Sequence, residues 1–241
     1  MDDPWPDMYS DKYASLRIQK SVELARPWLS RWGAVVVEYG CYKQELAKYL
    51  PIETVYMGVD NRPWEHSVIV EDLENPKPHV WKPNIIFCLE TLEHLKEPWN
   101  LLYRIKEEAD SCCAVIISLP NESTLFHRLR CLFGVVDAEA FKLDKHVHLP
   151  SISQSRKWLA EHFTIEREVP YINPGAKGSR QGWMGGILTF IPDAVWEWLA
   201  YIYPSGFARG MIYLCQIKNS SINPIPKHSP APNTNTPKHS M

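Results

Sequence analysis

Four acidic residues stand near the carboxyl ends of apolar, strand-like runs in the sequence: Glu38, Asp60, Asp72 and Glu90. Gly40 follows the first of them by two positions, and Asp60 comes twenty positions after Gly40. In nucleotide-binding α/β folds an acid at that spacing reaches ribose hydroxyls, because adjacent strands end side by side at the ligand crevice. The spacing therefore predicts a site for a nucleotide-like ligand at these strand ends.

The loop after the first run departs from the glycine pattern of dinucleotide sites. The pattern G-x-G-x-x-G would need glycines where Tyr42 and Glu45 stand. Because a bound pyrophosphate needs close approach to the backbone, the sequence disfavours NAD or FAD. An acid after a strand is also compatible with a simple turn carboxylate in solvent, and this alternative stays open for each of the acids.

Three histidines are candidates for a general base, because an imidazole titrates near neutral pH. His94 follows the fourth apolar run, whereas His146 and His148 lie in an irregular, partly basic stretch over residues 121–150. That stretch begins where a predicted strand ends at Pro120, which is where open α/β sheets place their ligand crevices. A structural role for His94 is an equal alternative, so the sequence favours His146 or His148.

The elements that must position these residues alternate between strands and helices. The predicted strands cover residues 34–38, 54–59, 67–70, 84–89, 113–118, 164–169 and 211–217. The predicted helices cover residues 12–31, 43–50, 97–110 and 153–162. The inner strands are continuous runs rich in Val and Ile, as in strands buried on both faces. The pattern predicts an α/β fold, a Rossmann-like, mostly parallel sheet of seven strands with helices on both faces.

The sequence resembles the class I S-adenosylmethionine-dependent methyltransferases, especially the branch that methylates small molecules and sugars. Five segments carry the resemblance, in the order of the family: VEYGCYKQELAKYL, NIIFCLETLEHLKEPWNLLYRI, VIISLPNESTLFHRLRCLFG, HVHLPSISQSRKWLAEHFTIE and FARGMIYLCQIK. The segments lie between residues 37 and 218, and the resemblance covers about residues 15 to 218. The resemblance implies the strand order 3-2-1-4-5-7-6 with an antiparallel last strand. It also implies methyl transfer from S-adenosylmethionine to a small-molecule or sugar-like acceptor.

The resemblance further implies roles for individual residues. Gly40 and Cys41 would make backbone contacts with the methionine part of the cofactor, and Asp60 would hold the ribose. Asp72 and the amide of Leu73 would read the adenine edge. The remaining residues of the implied cofactor site are Glu38 at the end of the first strand and Leu89 and Glu90 at the end of the fourth.

Two positions depart from the family pattern, because Tyr42 and Gln44 stand where the family has further glycines. A side chain at either position would fill cofactor space or require a φ that non-glycine residues adopt reluctantly. Alternatively, Tyr42 could swing outward as a lid, and Gln44 could hydrogen-bond the cofactor carboxylate. The sequence favours an active enzyme, and a catalytically silent methyltransferase fold acting as a binding or scaffold subunit is the alternative.

The amino-acid composition limits the classes of partner that we expect for this protein. The 26 basic and 28 acidic residues give a formal net charge of -2, so there is no electrostatic case for a nucleic-acid partner. No apolar run approaches the length of a bilayer span, so we expect no membrane partner. The six scattered cysteines form no CxxC pair, which predicts no bound metal and a reducing, cytoplasmic location. The acidic start lacks the apolar core of a targeting signal.

The length of 241 residues suits one domain with a full hydrophobic core. We expect an N-terminal arm over residues 1–14 and the methyltransferase domain over residues 15–218, with 121–150 as an insertion over the crevice. From residue 219 to 241 the chain is rich in Asn, Ser, Pro and Thr. It has little apolar surface to bury, so we expect a disordered tail there.

Overall fold

The structure is a computed structural model that describes residues 11–121, 123–134, 147–148, 150–172 and 192–218. Within these ranges the seven strands are β1 Val35–Tyr39, β2 Val55–Asp60, β3 Ile69–Val70, β4 Ile85–Leu89, β5 Ala114–Pro120, β6 Phe163–Tyr171 and β7 Gly210–Ile217. The α-helices of the same ranges are α1 Asp11–Leu29, α2 Pro98–Glu108, α3 Leu125–Leu132, α4 Ile152–His162, α5 Asp193–Ile202 and α6 Pro204–Phe207. Two short 3₁₀ helices cover Glu45–Tyr49 and Leu92–His94.

The strands form one sheet in the order β3-β2-β1-β4-β5-β7-β6. The pairs from β3 to β5 are parallel, and β7 runs antiparallel to both β5 and β6. The structure thus confirms the predicted fold class, strand order and antiparallel last strand. The chain order reverses between β1 and β4, and open α/β sheets bind ligands at the carboxyl ends of the strands at such a point.

Alternate residues of the central strands pack into two separate cores, one on each face of the sheet. Val37 and Ile86 lie in the core that contains the α2 side chains, whereas Val36 and Ile85 lie in the core that contains the α1 side chains. Successive strand residues point to opposite faces, so a strand covered on both sides must be apolar throughout. This explains why every residue of β4 and β5 is buried and why their sequences do not alternate.

Helix α1 lies close to the predicted helix over 12–31. The structure differs from the predicted elements in three places. The predicted helix over 43–50 is a short 3₁₀ helix, Glu45–Tyr49, which begins only after Gln44 has adopted a left-handed conformation. Helix α3 occupies part of the stretch expected to be irregular, and helices α5 and α6 were not predicted. Helix α5 is apolar on its outer side as well as its inner side, so no polar side marks it as a surface helix.

The domain boundaries stay predictions, and the expected tail over 219–241 lies outside the described residues. Among the described residues, no helix combines the length and apolar character needed to cross a membrane.

Candidate functional site

The loop that follows β1 has a left-handed backbone at three positions. The φ angles are 76° at Gly40, 44° at Tyr42 and 55° at Gln44. These are the three positions at which the resemblance expects glycine, so the backbone path is kept although two side chains have been added. A non-glycine residue in this region costs about 1–2 kcal/mol, and such strain persists only where the surroundings impose it. The loop is therefore a candidate functional element.

Gly40 is also required by packing at the end of β4. Its amide donates a hydrogen bond to the Val59 carbonyl at 2.8 Å, and a Cβ at Gly40 would overlap with the Thr91 side chain. Thr91 is buried and its hydroxyl donates to the Tyr39 carbonyl at 3.2 Å, which fixes the side chain there. The fit against Thr91 explains this glycine even without a ligand passing over the strand end.

We expect Gly40→Ala to be markedly more destabilising than Gly33→Ala. Both glycines have a left-handed φ, 76° and 67°, but a Cβ at Gly33 would meet nothing within 4 Å. The difference between the two variants isolates the overlap with Thr91, which should cost about 1–3 kcal/mol of unfolding free energy. Urea unfolding of both variants measures it. Equal losses would show that backbone strain is the whole effect and that Thr91 yields.

Asp60 lies at the end of β2, and its carboxylate accepts hydrogen bonds from three donors within the chain. The residue is 8% exposed. Its Oδ2 accepts the Tyr42 amide at 2.9 Å, and its Oδ1 accepts the Arg62 amide and the Trp64 indole N–H, both at 3.2 Å. The Tyr42 and Trp64 rings meet edge to face, with centroids 4.8 Å apart. The Tyr42 ring therefore lies on the β2 side of the loop, beside Asp60.

Glu38 is buried one strand away, on β1. It lies opposite Gly58 on β2, and the Tyr56 hydroxyl donates a hydrogen bond to its carboxylate. Burial raises the pKa of Glu38 to about 8, even though the Tyr56 hydrogen bond and the charge of Arg17 act in the opposite direction. The Asp60 charge adds a smaller increase. The Glu38 carboxyl is therefore protonated at neutral pH in the free protein.

Glu90, at the end of β4, is a third acid at the same edge of the sheet. Its φ is 51°, so it too has a left-handed backbone. Its Oε1 accepts the Tyr171 hydroxyl at 2.5 Å, and its Oε2 forms an ion pair with Arg17. Arg17 and Tyr171 are both buried, so helix α1 and the end of β6 fix the side chain of a strained residue.

Five residues of this site were not predicted from the sequence: Arg17, Tyr56, Trp64, Thr91 and Tyr171. The contact between Tyr56 and Glu38 could have been predicted once the register of β1 and β2 is known. Tyr56 stands two residues before Gly58, hence on the same face of β2, and Gly58 lies opposite Glu38. The sequence offers no comparable signal for Trp64 or Tyr171, because their contacts depend on how loops and distant strands meet.

Asp72 and Leu73, the residues expected to read adenine, lie in a turn after β3, one exposed and the other buried. Asp72 is exposed and caps its own turn, accepting the Glu74 amide and the Asn75 side-chain amide, each at 3.0 Å. These hydrogen bonds, that of Asn75 first, lower the pKa of Asp72. Leu73 is buried in the core with the α2 side chains. This is the arrangement of a turn carboxylate, and the adenine-reading role of Asp72 and Leu73 stays a prediction.

The other predicted residues are distributed as follows. Cys41 is buried, and its amide donates to the Val59 carbonyl at 3.2 Å. Leu89 is buried at the end of β4. His148 lies between α2 and α4, with its ring against Trp99 and Trp158 and its Nε2 3.2 Å from the Lys96 carbonyl oxygen. His94 ends the 3₁₀ helix after β4, and His146 lies outside the described residues.

Comparison with known proteins gives structural likeness only. No protein-family model matches the sequence, and no curated protein sequence is significantly similar to it. The solved structure of the small RNA methyltransferase HEN1 is similar with a TM-score of 0.58 and 14% identity, over 93% of this chain and 28% of HEN1. The chain therefore spans less than a third of the length of HEN1.

Two further similar structures match over most of both chains. The N-methyltransferase NodS from Bradyrhizobium japonicum WM9, in complex with S-adenosyl-L-homocysteine, has a TM-score of 0.54 and 12% identity over 90% of this chain and 93% of its own. The magnesium protoporphyrin IX methyltransferase from Synechocystis, also with S-adenosyl-L-homocysteine bound, has a TM-score of 0.53 and 13% identity over 90% of each chain. The fold is thus that of S-adenosylmethionine-dependent methyltransferases that differ in their acceptors.

Proposed function

We propose that this protein is a methyltransferase that uses S-adenosylmethionine and acts on a small-molecule or sugar-like acceptor. The observation that carries the proposal is the loop after β1. It keeps a left-handed backbone at Gly40, Tyr42 and Gln44, and the Tyr42 amide donates a hydrogen bond to the carboxylate of Asp60. Such strain is expected where a function requires the backbone path.

The residues of the site fit the cofactor, provided that the Trp64 side chain moves. Asp60 would hold the ribose hydroxyls, because a carboxylate offers about four acceptor positions and three are used by protein donors. Loss of the hydrogen bond from the Trp64 indole N–H would free one more acceptor position on Asp60. The amides of Gly40 and Cys41 both donate to the Val59 carbonyl, so their contacts with the methionine part would be made through carbonyl oxygens. Glu38, Leu89 and Glu90 would border that part.

When bound, S-adenosylmethionine supplies a methyl group already activated on a sulfonium. The protein then needs mainly to align the acceptor and to exclude water, since positioning accounts for most of the rate in such a transfer. Glu90 is suited to that task, because Arg17 and Tyr171 hold its carboxylate rigidly at the strand end. For a hydroxyl acceptor we propose His94, His146 or His148 as the residue that removes the proton.

The acceptor class rests on the resemblance and on charge. HEN1 is by name a small RNA methyltransferase, so the fold itself is compatible with nucleic-acid acceptors. The formal net charge of -2 favours an uncharged or small acceptor over a polyanion. A cytoplasmic location is proposed from the thiol chemistry alone: the structure describes all six cysteines as free.

A silent methyltransferase fold that serves as a binding or scaffold subunit is the second candidate, and one observation favours it. Both oxygens of Asp60 are bonded by the protein itself, and the rings of Tyr42 and Trp64 lie beside that carboxylate. If these rings stay in place when ligand is offered, they would take the space of the ribose.

Calorimetric titration with S-adenosylmethionine and S-adenosylhomocysteine tests both candidates, with wild-type protein and Tyr42→Gly side by side. For an active enzyme we expect binding by the wild type and equal or slightly weaker binding by Tyr42→Gly. The ring then fills no cofactor space, and glycine makes the free loop more mobile.

An affinity gain of tenfold or more in Tyr42→Gly would instead identify the ring as a plug and support the silent fold. Absence of binding by both proteins would support the silent fold as well. Urea unfolding of Tyr42→Gly serves as the control for folding, and relief of the left-handed φ should keep its stability near that of the wild type.

A further inference from the structure

The side chain of Gln44 lies against β2, in space that Gly58 leaves open. A Cβ at Gly58 would lie 2.9 Å from the Gln44 Nε2, 2.8 Å from the Cys41 Sγ and 3.0 Å from the Tyr56 hydroxyl. Atoms in a packed interior do not approach a Cβ so closely, so a side chain at this buried position would displace one or more of these groups. The glycine that the loop lacks at position 44 is thus matched by a glycine on the neighbouring strand, over which the Gln44 side chain packs.

The Gln44 carboxamide also joins two loops. Its Oε1 accepts a hydrogen bond from the Ser67 hydroxyl at 2.8 Å, and Ser67 lies in the segment that connects β2 to β3. Beside this hydrogen bond, an open cleft lined by Lys43 and Glu65 separates the loop after β1 from that segment. The two loops are therefore held together there by the hydrogen bond and not by close packing. We call the Gln44–Ser67 hydrogen bond and the packing of Gln44 over Gly58 the latch.

The two loops that the latch joins are the two that donate hydrogen bonds to Asp60. The loop after β1 donates the Tyr42 amide to the Asp60 carboxylate, and the segment between β2 and β3 donates the Arg62 amide and the Trp64 indole N–H. The distance between the loops therefore decides whether all three donors can reach the carboxylate together. A contact that fixes this distance also fixes the geometry around Asp60.

The backbone of Gln44 is held on both sides of the residue as well. The Gln44 amide donates to the Cys41 carbonyl at 2.7 Å, and the Gln44 carbonyl accepts from the Ala47 amide at 3.1 Å. Because the side chain is also fixed, the surrounding contacts impose the left-handed φ of 55° on a residue that is not glycine.

We infer that Gln44 is a positioning residue, whose latch to Ser67 holds the loop after β1 in the conformation that binds a ligand at Asp60. The identity of that ligand as S-adenosylmethionine rests on the proposed function, whereas the latch does not. A glycine at position 44 would adopt the same φ without strain, but it would have no side chain with which to join the two loops.

Hydrogen exchange of the Tyr42 amide in the ligand-free protein tests the latch. Ser67→Ala removes the donor, and Gln44→Met keeps the length of the side chain but removes the acceptor. We expect this amide to exchange about twofold to tenfold faster in either variant. The double variant should exchange no faster than either single one, because both changes remove the same hydrogen bond. Ser67→Thr keeps the hydroxyl and should exchange at the wild-type rate. The Asn75 amide, bonded within a different turn, should be unaffected in every variant.

Calorimetric titration with S-adenosylhomocysteine gives the functional measurement. We expect each single variant to bind about twofold to tenfold more weakly than the wild type, and the double variant to bind no more weakly than either. Ser67→Thr should restore the wild-type affinity. The matched control is Ser111→Ala, because Ser111 is exposed on the turn between α2 and β5. It should change neither the affinity nor the exchange of the Tyr42 amide.

Three results would overturn the inference: unchanged exchange of the Tyr42 amide in Ser67→Ala, an equal acceleration at the Asn75 amide, or wild-type affinity in variants whose Tyr42 amide exchanges faster. Absence of binding by the wild type would instead contradict the methyltransferase proposal. The exchange rates would in that case still decide whether the latch holds the loop, because they are measured without ligand.

Discussion

The Glu38→Gln variant should be more resistant to urea than the wild-type protein above pH 8, and should match it near pH 4.5. The carboxyl of Glu38, on β1, is buried, and burial raises its pKa from about 4.5 to about 8. A glutamine has nearly the same shape, can still accept the Tyr56 hydrogen bond, and carries no charge at any pH.

The sign of the pH effect on stability follows from which state, folded or unfolded, holds the proton of Glu38. Between pH 4.5 and 8 the folded chain keeps a proton on Glu38 that the unfolded chain has released, so the free energy of unfolding falls as pH rises. The slope is about 1.4 kcal/mol per pH unit, and the accumulated loss is about 3–5 kcal/mol at the upper end. The variant lacks this loss, because its side chain has no proton to release.

Urea unfolding curves of both proteins across this pH range measure the effect. Glu53→Gln is the matched control, since Glu53 is exposed and its carboxyl stays hydrated in the folded chain. Its pH dependence should parallel that of the wild type. If Glu38→Gln also parallels the wild type, the carboxyl is hydrated or paired in solution and does not hold a proton at neutral pH.

Asp60→Ala should weaken the binding of S-adenosylhomocysteine on the order of tenfold or more. The charge-assisted interaction with the two ribose hydroxyls would be lost, about 1.5–3 kcal/mol in total. The variant also removes the acceptor of the Tyr42 amide, so the loop itself is disturbed. A second variant is needed to separate these two effects.

Trp64→Phe provides that separation. It removes the indole N–H that donates to Asp60 while keeping a ring beside Tyr42. If Asp60 holds the ribose, this change frees an acceptor position, so the affinity should stay level or rise. Calorimetry of the two variants against the wild type gives the comparison. Unchanged affinity in Asp60→Ala would remove Asp60 from the site, and an equal fall in both variants would assign the effect to loop conformation.

The sequence by itself determined where the central strands lie, and the order of the sheet followed only with the family resemblance. Continuous Val and Ile runs such as β4 arise because both faces of the strand are covered, and this requirement is local enough to be read from composition. The helices were readable only where one side is polar, as in α2. Helix α5 was missed because its outer side is apolar, so the sequence has no polar side to mark it.

The shared location of three acids was also readable, because Glu38, Asp60 and Glu90 lie at the carboxyl ends of neighbouring strands and therefore at one edge of the sheet. The hydrogen-bond partners, charge and accessibility of each acid were not readable from the sequence. Asp60 is bonded by Trp64, Glu38 by Tyr56, and Glu90 by Arg17 and Tyr171. The partners of Glu90 stand 73 residues before it and 81 residues after it in the chain, so only packing brings them together. Hydrogen bonding and burial set the charge and accessibility of a carboxylate, and both are properties of the tertiary structure.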